Sequence, residues 1–207
     1  MNLTDKITIT NEDNMQLMAR YPDKYFDLAI VDPPYGLGKK IYSGGTKGCK
    51  FHTLFGENKW DDEIPSNEYF NELFRVSKNQ IIWGGNYFPL MPTRCLIIWD
   101  KLKGDNNFSM FELAWTSFDK PCKIYKENST TDDRIHPTQK PFKLYKFLID
   151  KYANPGDKIL DTHLGSGSIA IACHDYGFEL TACELDTEYY NKAIQRIKDH
   201  VAQQRLF

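Results

Sequence analysis

The sequence predicts an α/β protein built on a doubly wound, mostly parallel sheet, and three observations point there. Short apolar runs such as Leu28-Ala29-Ile30-Val31, Ile81-Ile82-Trp83 and Leu96-Ile97-Ile98-Trp99 show no polar alternation. Strands of that kind are buried on both faces. Each run stops abruptly, at Asp32-Pro33-Pro34, Gly84-Gly85-Asn86 or Asp100-Lys101. Other stretches carry apolar residues at helical spacing, among them Leu144, Phe147, Leu148 and Tyr152. With 207 residues, 41% of them hydrophobic and 14% aromatic, the chain can fill the core of one such unit.

Taken in order, residues 6–10 alternate and are rich in β-branched side chains, which predicts a first strand. Residues 14–20 predict a short helix closed by Tyr21-Pro22-Asp23. The strand over 28–31 follows, and two successive prolines end it because neither can donate to a ladder. Residues 36–63 hold Gly36, Gly38, Gly44, Gly45, Gly48 and Gly56 without a period, which predicts a mobile functional loop. Ser66 is placed to N-cap a helix running to about Lys78, with Tyr69, Phe70, Leu73, Phe74 and Val76 on its apolar side. Strands are expected over 80–83 and 95–99. Residues 111–118 and 122–125 predict a final pair of strands turned at Asp119-Lys120-Pro121. Pro141 suits the first position of a helix reaching Tyr152. A strand over 158–161, a helix to Tyr176, a strand over 179–184 and a last helix capped by Asp186 or Thr187 complete the chain. That last helix carries Tyr190, Ile194, Ile197 and Val201 on one face.

Composition narrows the function classes. No apolar run approaches the roughly 18 residues of a membrane span, and residues 1–6 lack the apolar core of a signal peptide. Cytoplasmic residence is the expectation. The five cysteines form no C-x-x-C pair, so neither a disulfide framework nor a zinc site is expected. Cys95, Cys173 and Cys183 fall in apolar segments and read as core; Cys49 and His52 form a lone C-x-x-H, and no metal is assigned. The net charge of −2 argues slightly against a nucleic-acid binder. Charge is local, however: Lys39, Lys40, Lys47, Lys50 and Lys59 face only Glu57 within residues 36–60. A solvated loop would look the same.

Two stretches carry chemistry. Asp32-Pro33-Pro34-Tyr35 forms a stiff loop at the carboxyl end of a central strand. Asp32 precedes a proline and is pushed to an extended conformation. The loop presents a carboxylate, a fixed carbonyl and an aromatic ring at the edge where open α/β sheets bind ligands. The plain alternative is a proline-rich turn after a core strand. The second stretch is a strand ending in Asp161, the turn Gly165-Ser166-Gly167 and a helix from Ser168, with Glu184 closing the next strand. Glycines allow close backbone approach to a ligand, the helix start offers free N–H groups, and an acid about twenty residues on can hold ribose hydroxyls. Gly165 to Ala170 also satisfies the dinucleotide fingerprint, so a nicotinamide or flavin enzyme competes, as does an ordinary strand-to-helix turn. The three residues between Asp161 and Gly165, and the acid itself, favour a sulfonium cofactor over a dinucleotide.

These stretches resemble the motifs of the DNA amino-methyltransferases. Asp32 to Tyr35 is similar to motif IV, Asp161 to Ser168 to motif I, Glu184 to the motif II acid, and His136-Pro137-Thr138-Gln139-Lys140-Pro141 to motif X. Their order, IV, X, I, II, resembles the β group, and the resemblance covers nearly the whole chain. It implies a Rossmann-like, circularly permuted single methyltransferase domain over 1–207 that uses S-adenosyl-L-methionine. Asp32, Pro33, Pro34 and Tyr35 become the expected catalytic residues, with the Asp32 carboxylate and the Pro33 carbonyl accepting the hydrogens of an exocyclic amine. His136, Thr138, Lys140, Asp161, Gly165, Gly167, Ser168 and Glu184 become the expected cofactor-binding residues. The implied reaction is methylation of adenine N6 on a flipped base in double-stranded DNA. N4-cytosine methylation, RNA-adenine methylation and an inactive cofactor-binding subunit remain alternatives.

The chain departs from the family pattern at Thr162 and His163, where a proline and an aromatic are usual, and at Ser168, where threonine is common. A local hydrogen bond is the expected use of His163. Asp13 is a candidate for the acid that faces the adenine of the cofactor. Lys39, Lys40, Lys47, Lys50, Lys101 and Lys103 are expected to contact nucleic acid, and residues 101–109 and 119–135 to read sequence. No large target-recognition domain fits between Phe118 and His136. A homodimer is allowed for, and a companion nuclease is left open.

Overall fold

In the computed structural model, residues 2–38, 61–103, 109–129 and 134–203 are described. Lys39, Lys40, Lys47 and Lys50, expected to contact nucleic acid, lie outside them. The strands are β1 (Asn2–Thr4), β2 (Ile7–Asn11), β3 (Phe26–Val31), β4 (Ser77–Trp83), β5 (Leu96–Asp100), β6 (Phe111–Thr116), β7 (Lys123–Lys126), β8 (Lys158–Asp161) and β9 (Glu179–Glu184). They form one sheet in the order β1-β2-β9-β8-β3-β4-β6-β5-β7. β2, β9, β8, β3 and β4 run parallel to one another; β1 is antiparallel to β2, and β6 to both β4 and β5. The helices are α1 (Asn14–Met18), α2 (Asn67–Val76), α3 (Phe142–Tyr152), α4 (Ser168–Tyr176) and α5 (Thr187–Ala202).

The alternation of β3 explains the two layers. Leu28 and Ile30 pack with Leu144, Leu148, Ile171 and Ile197 of α3, α4 and α5. Ala29 and Val31 pack with Leu17 and Met18 of α1 and with Phe70, Leu73 and Val76 of α2, and Phe26, at the start of the strand, joins them out of alternation. Both faces of the central strands are therefore covered, as an all-apolar run requires. The sheet is the doubly wound α/β arrangement that the sequence predicts.

Pairing of β3 with β8 through Leu28–Ile159 and Ala29–Leu160 brings Asp32, just past the end of β3, to the same sheet edge as Asp161, the last residue of β8. β2, early in the chain, completes the far side by pairing with β9, from Ile7–Leu180 to Asn11–Glu184.

Three expectations change. β1 was not foreseen; it is a three-residue strand on the outer edge. The helix expected to reach Lys78 stops at Val76, because Ser77 already pairs with Phe26 in the sheet and its hydroxyl donates to the Leu73 carbonyl at 2.5 Å. The expected pairing of residues 111–118 with 122–125 does not form. β6 is enclosed by β4 and β5, so β7 takes the remaining edge and runs parallel to β5. β7 is largely exposed and brings Lys123 and Lys126, charges that blunt an open edge.

Candidate active site

A cavity of about 650 Å³ opens at the carboxyl ends of β3, β8 and β9. Asp32, Pro33, Pro34 and Tyr35 line one end; His136, Thr138, Gly165, Ser166 and Glu184 line the other. Two distant parts of the sequence thus meet at one sheet edge.

At the first end, both oxygens of Asp32 are engaged. Oδ1 accepts from the Tyr35 hydroxyl at 2.6 Å, and Oδ2 from Lys140 Nζ at 2.5 Å. The Lys140 side chain is 1% exposed and also lies 2.9 Å from Oε2 of Glu112; the other Glu112 oxygen meets Lys101 at 2.6 Å. Burial raises the Asp32 carboxyl above its ordinary range, against the pull of Lys140 and with the push of Glu112. Burial also opposes ionisation of Glu112, but Lys140 and Lys101 outweigh it and hold that group down to about 2.

The loop itself is pinned by Asp61. One of its carboxylate oxygens accepts from the backbone N–H of Tyr35 at 2.5 Å and of Gly36 at 3.2 Å, the other from Leu37 at 3.0 Å. The Tyr35 ring stacks on Tyr87, with centroids 5.1 Å apart and planes 14° apart. It rests against Gly84, whose φ of +70° favours glycine; a Cβ there would sit 2.2 Å from Tyr35 Cε1.

At the second end the carboxylates are held mainly by backbone. Glu184 accepts from Gly165 N–H at 2.8 Å and from Asp186 N–H at 3.0 Å. Asp161 is buried and accepts from His163 N–H at 3.0 Å. Burial, with Asp32 and Glu184 nearby, pushes its carboxyl up to about 8. His163 makes the local hydrogen bond expected of it, to Thr162 Oγ1 at 2.9 Å, and a second, long-range one to Asn14 Nδ2 at 3.1 Å; burial lowers its pKa to about 4, so the ring is neutral near pH 7. His136 packs edge-on to Tyr189 at 4.4 Å, and burial together with the Lys140 charge lowers it to about 3.

Some expected cofactor residues sit behind the cavity rather than on its wall. Gly167 packs α4 against α5: its φ is +75°, and a Cβ would lie 2.8 Å from Ile197 Cδ1. Buried Ser168 donates to the Lys140 carbonyl at 2.7 Å and accepts from Arg196 at 3.1 Å, so it fixes the segment that carries Lys140. Lys140 lines the cavity, but its ammonium reaches Asp32. Asp13 caps α1 through the N–H groups of Met15 and Gln16, while neighbouring Glu12 faces the cavity. Lys101 and Lys103 are not on the cavity wall, and Lys101 is directed at Glu112.

The sequence reading missed Asp61, Glu112, Tyr69 and Tyr87. Glu112 leaves a signal, a lone charge inside the apolar run Phe111 to Ala114. Tyr87 follows the glycine pair that ends β4, the neighbour of β3. Asp61 and Tyr69 leave none. The Tyr69 hydroxyl reaches Thr162 Oγ1 at 2.7 Å, tying α2 to the turn after β8. Among the described residues no cluster of three or more metal-ligating side chains occurs, and no helix is long and apolar enough to cross a membrane.

A family model described as DNA methylase matches residues 82–195, more than half of the chain. The matched span holds Lys140, Asp161 and Glu184 and begins downstream of Asp32. The Escherichia coli (strain K12) protein YubD, provisionally named a methylase, is 24% identical over 208 residues, covering 89% of this chain and 87% of its own. Among solved structures, the M1.HpyAVI–SAM complex superposes with a TM-score of 0.62 at 17% identity, covering 92% of this chain and 98% of that one. The cytosine-N4-specific PvuII DNA methyltransferase has a TM-score of 0.62 at 13% identity, covering 95% and 92%. Both structures share the fold.

Proposed function

The chain belongs to the DNA methylase family of N6/N4 amino-methyltransferases, and from that premise we propose that it methylates adenine N6 on a base flipped out of double-stranded DNA, with S-adenosyl-L-methionine as donor. One observation carries the reading: the Asp32 carboxylate and the turn at Gly165 open onto the same cavity, because β3 and β8 are neighbours.

The donor set fits this cofactor. Glu12, Glu184 and Asp186 line the cavity alongside Asp32. Such an acid-rich surround favours a cation such as a sulfonium and opposes the pyrophosphate of a dinucleotide. Gly165 and Glu184 would hold the nucleoside portion, with His136 and Thr138 beside it. S-adenosyl-L-methionine supplies an electrophilic methyl group when bound.

The chain supplies the aim. Asp32 accepts one hydrogen of the amine and the Pro33 carbonyl the other, which localises the nitrogen lone pair. A carboxylate offers about four lone-pair sites, so Asp32 can take the amine while keeping Tyr35 and Lys140. The Tyr35 ring gives the extruded base a stacking surface. Adenine rather than cytosine rests on Asp, not Ser, at the head of the tetrapeptide; a charged acceptor makes a stronger hydrogen bond to N6. The shared fold of the PvuII enzyme makes cytosine N4 the competing target.

The test is incubation with tritium-labelled cofactor and unmethylated DNA, with RNA in a parallel reaction, then digestion to nucleosides and mass spectrometry. N6-methyladenine is expected. N4-methylcytosine alone would overturn the base assignment, label confined to RNA would overturn the substrate, and label in neither would overturn the activity.

A further inference from the structure

The mechanism above uses Asp32 but not the charges behind it. The Lys140 ammonium is almost fully buried, 2.5 Å from Asp32 and 2.9 Å from Glu112. It also lies 5.1 Å from the Trp83 ring and 5.8 Å from the Tyr35 ring. A buried ammonium between two carboxylates needs both partners, because an unpaired charge there is costly. We propose that Lys140 is a positioning residue for methyl transfer: it keeps Asp32 ionised and aimed once the base has displaced water, and Glu112 tempers how strongly it does so. The inference rests on the functional reading above and deepens it.

The geometry argues for this role in three steps. Lys140 holds Asp32 through Oδ2 while Tyr35 holds Oδ1, so the carboxylate is fixed from two sides. Its backbone is fixed by Ser168, which the α4 and α5 helices hold in turn. Glu112 is the second residue of β6, paired with Trp99 of β5, and Lys101 secures its second oxygen. The ammonium therefore cannot drift toward a ligand without giving up its contact to Glu112 Oε2. The groups facing Asp32 are Lys140 from the segment before α3, Glu112 from β6, Tyr35 from its own loop, Asp161 from β8, Tyr145 from α3 and Tyr69 from α2. Only Lys140 among them is a cation.

The signature is a pair of opposite pH shifts. Rate falls where Asp32 gains a proton, so the acid limb of kcat reports its ionisation. Lys140→Met removes the stabilising cation: kcat should fall about 100-fold, and the acid limb should move up by about one pH unit or more. Glu112→Gln removes a repelling anion and leaves Lys140 to Asp32 alone, so the limb should move down. Lys140→Arg should keep the limb near its wild-type position. Affinity for S-adenosylmethionine should stay within a few fold in all three.

The experiment is single-turnover transfer from tritiated cofactor to unmethylated genomic DNA across pH, with calorimetric cofactor binding and thermal melts of each variant. Opposite limb shifts support the proposal. Limbs that stay fixed in both variants overturn it. So does Lys140→Met with unchanged kcat and cofactor affinity weakened tenfold or more, the pattern of a cofactor contact. If Lys140→Met fails to fold, the downward shift in Glu112→Gln decides alone. Wild-type protein that binds cofactor but labels no DNA would overturn the functional reading itself, a result distinct from all of these.

Discussion

The two ends of the cavity hold their carboxylates by different means. At the Asp32 end the partners are side chains from other elements: Lys140, Glu112 behind it, and Asp61 pinning the loop backbone. At the Glu184 end the partners are backbone N–H groups of adjacent turns, at Gly165, Asp186 and, for Asp161, His163. Side-chain partners bring formal charge and so tune ionisation. Backbone partners bring shape. An end that must handle a changing charge benefits from the first; an end that must hold one ligand in one pose benefits from the second.

Substitutions can break or sharpen this contrast. The largest effect belongs to Asp32→Ala, which removes the charged acceptor itself. Its kcat should fall by about a thousandfold, while isothermal calorimetry finds cofactor affinity within a few fold. A parallel loss of affinity would show that the two ends are not separable.

Next is Glu184→Ala, which should weaken cofactor binding by about 1.5–3 kcal/mol and spare the kcat measured at saturating cofactor. Because Glu184 also orders the Gly165 and Asp186 backbone, its melting temperature should fall as well. Normal affinity in calorimetry would remove the residue from the site.

A smaller effect is expected at the aromatic wall. Tyr35→Ala should weaken the hold on the flipped base by roughly 1–3 kcal/mol. Gly84→Ala should do the same without touching Tyr35, since the added methyl group displaces the ring. Fluorescence of 2-aminopurine placed in a methylatable DNA reports both. Equal base binding in Gly84→Ala would mean the ring position does not matter.

A separate effect concerns stability. Asp161 titrates near 8 in the folded chain and near 4 when unfolded. The native state therefore holds the extra proton between these values, and stability falls as pH rises through that window. Asp161→Asn removes the loss, so its melting-temperature advantage over wild type should grow from about pH 4 to about pH 8. A constant difference across that range would contradict the assignment.

The same contrast explains what the sequence disclosed. Asp161, Gly165 and Glu184 lie within one strand-turn-helix-strand unit, where spacing along the chain maps onto distance in space. Asp32 to Tyr35 was legible because two prolines and a charged residue after an apolar run have few structural uses. The tie from Asp32 to Lys140 spans 108 positions and the tie from Tyr35 to Asp61 spans 26, and no local pattern encodes either. Lys140 was read as a cofactor residue because its segment was legible but its direction was not. β7 was misassigned for a related reason: adjacency in sequence suggested β6, whereas only knowledge of the other pairings shows that β6 had no edge left.

The pairing of β2 with β9 bears on how the chain is made. The Thr10 hydroxyl reaches the Ala182 carbonyl across 172 positions. During synthesis, β3 to β7 emerge well before β8 and β9. For that interval the edge of β3 that will receive β8 stands open, and β1 and β2 have no sheet to join. Long-range parallel pairing is slow to form, and an open apolar strand is prone to wrong partners. The nascent chain is thus open to wrong pairing until β8 and β9 have emerged.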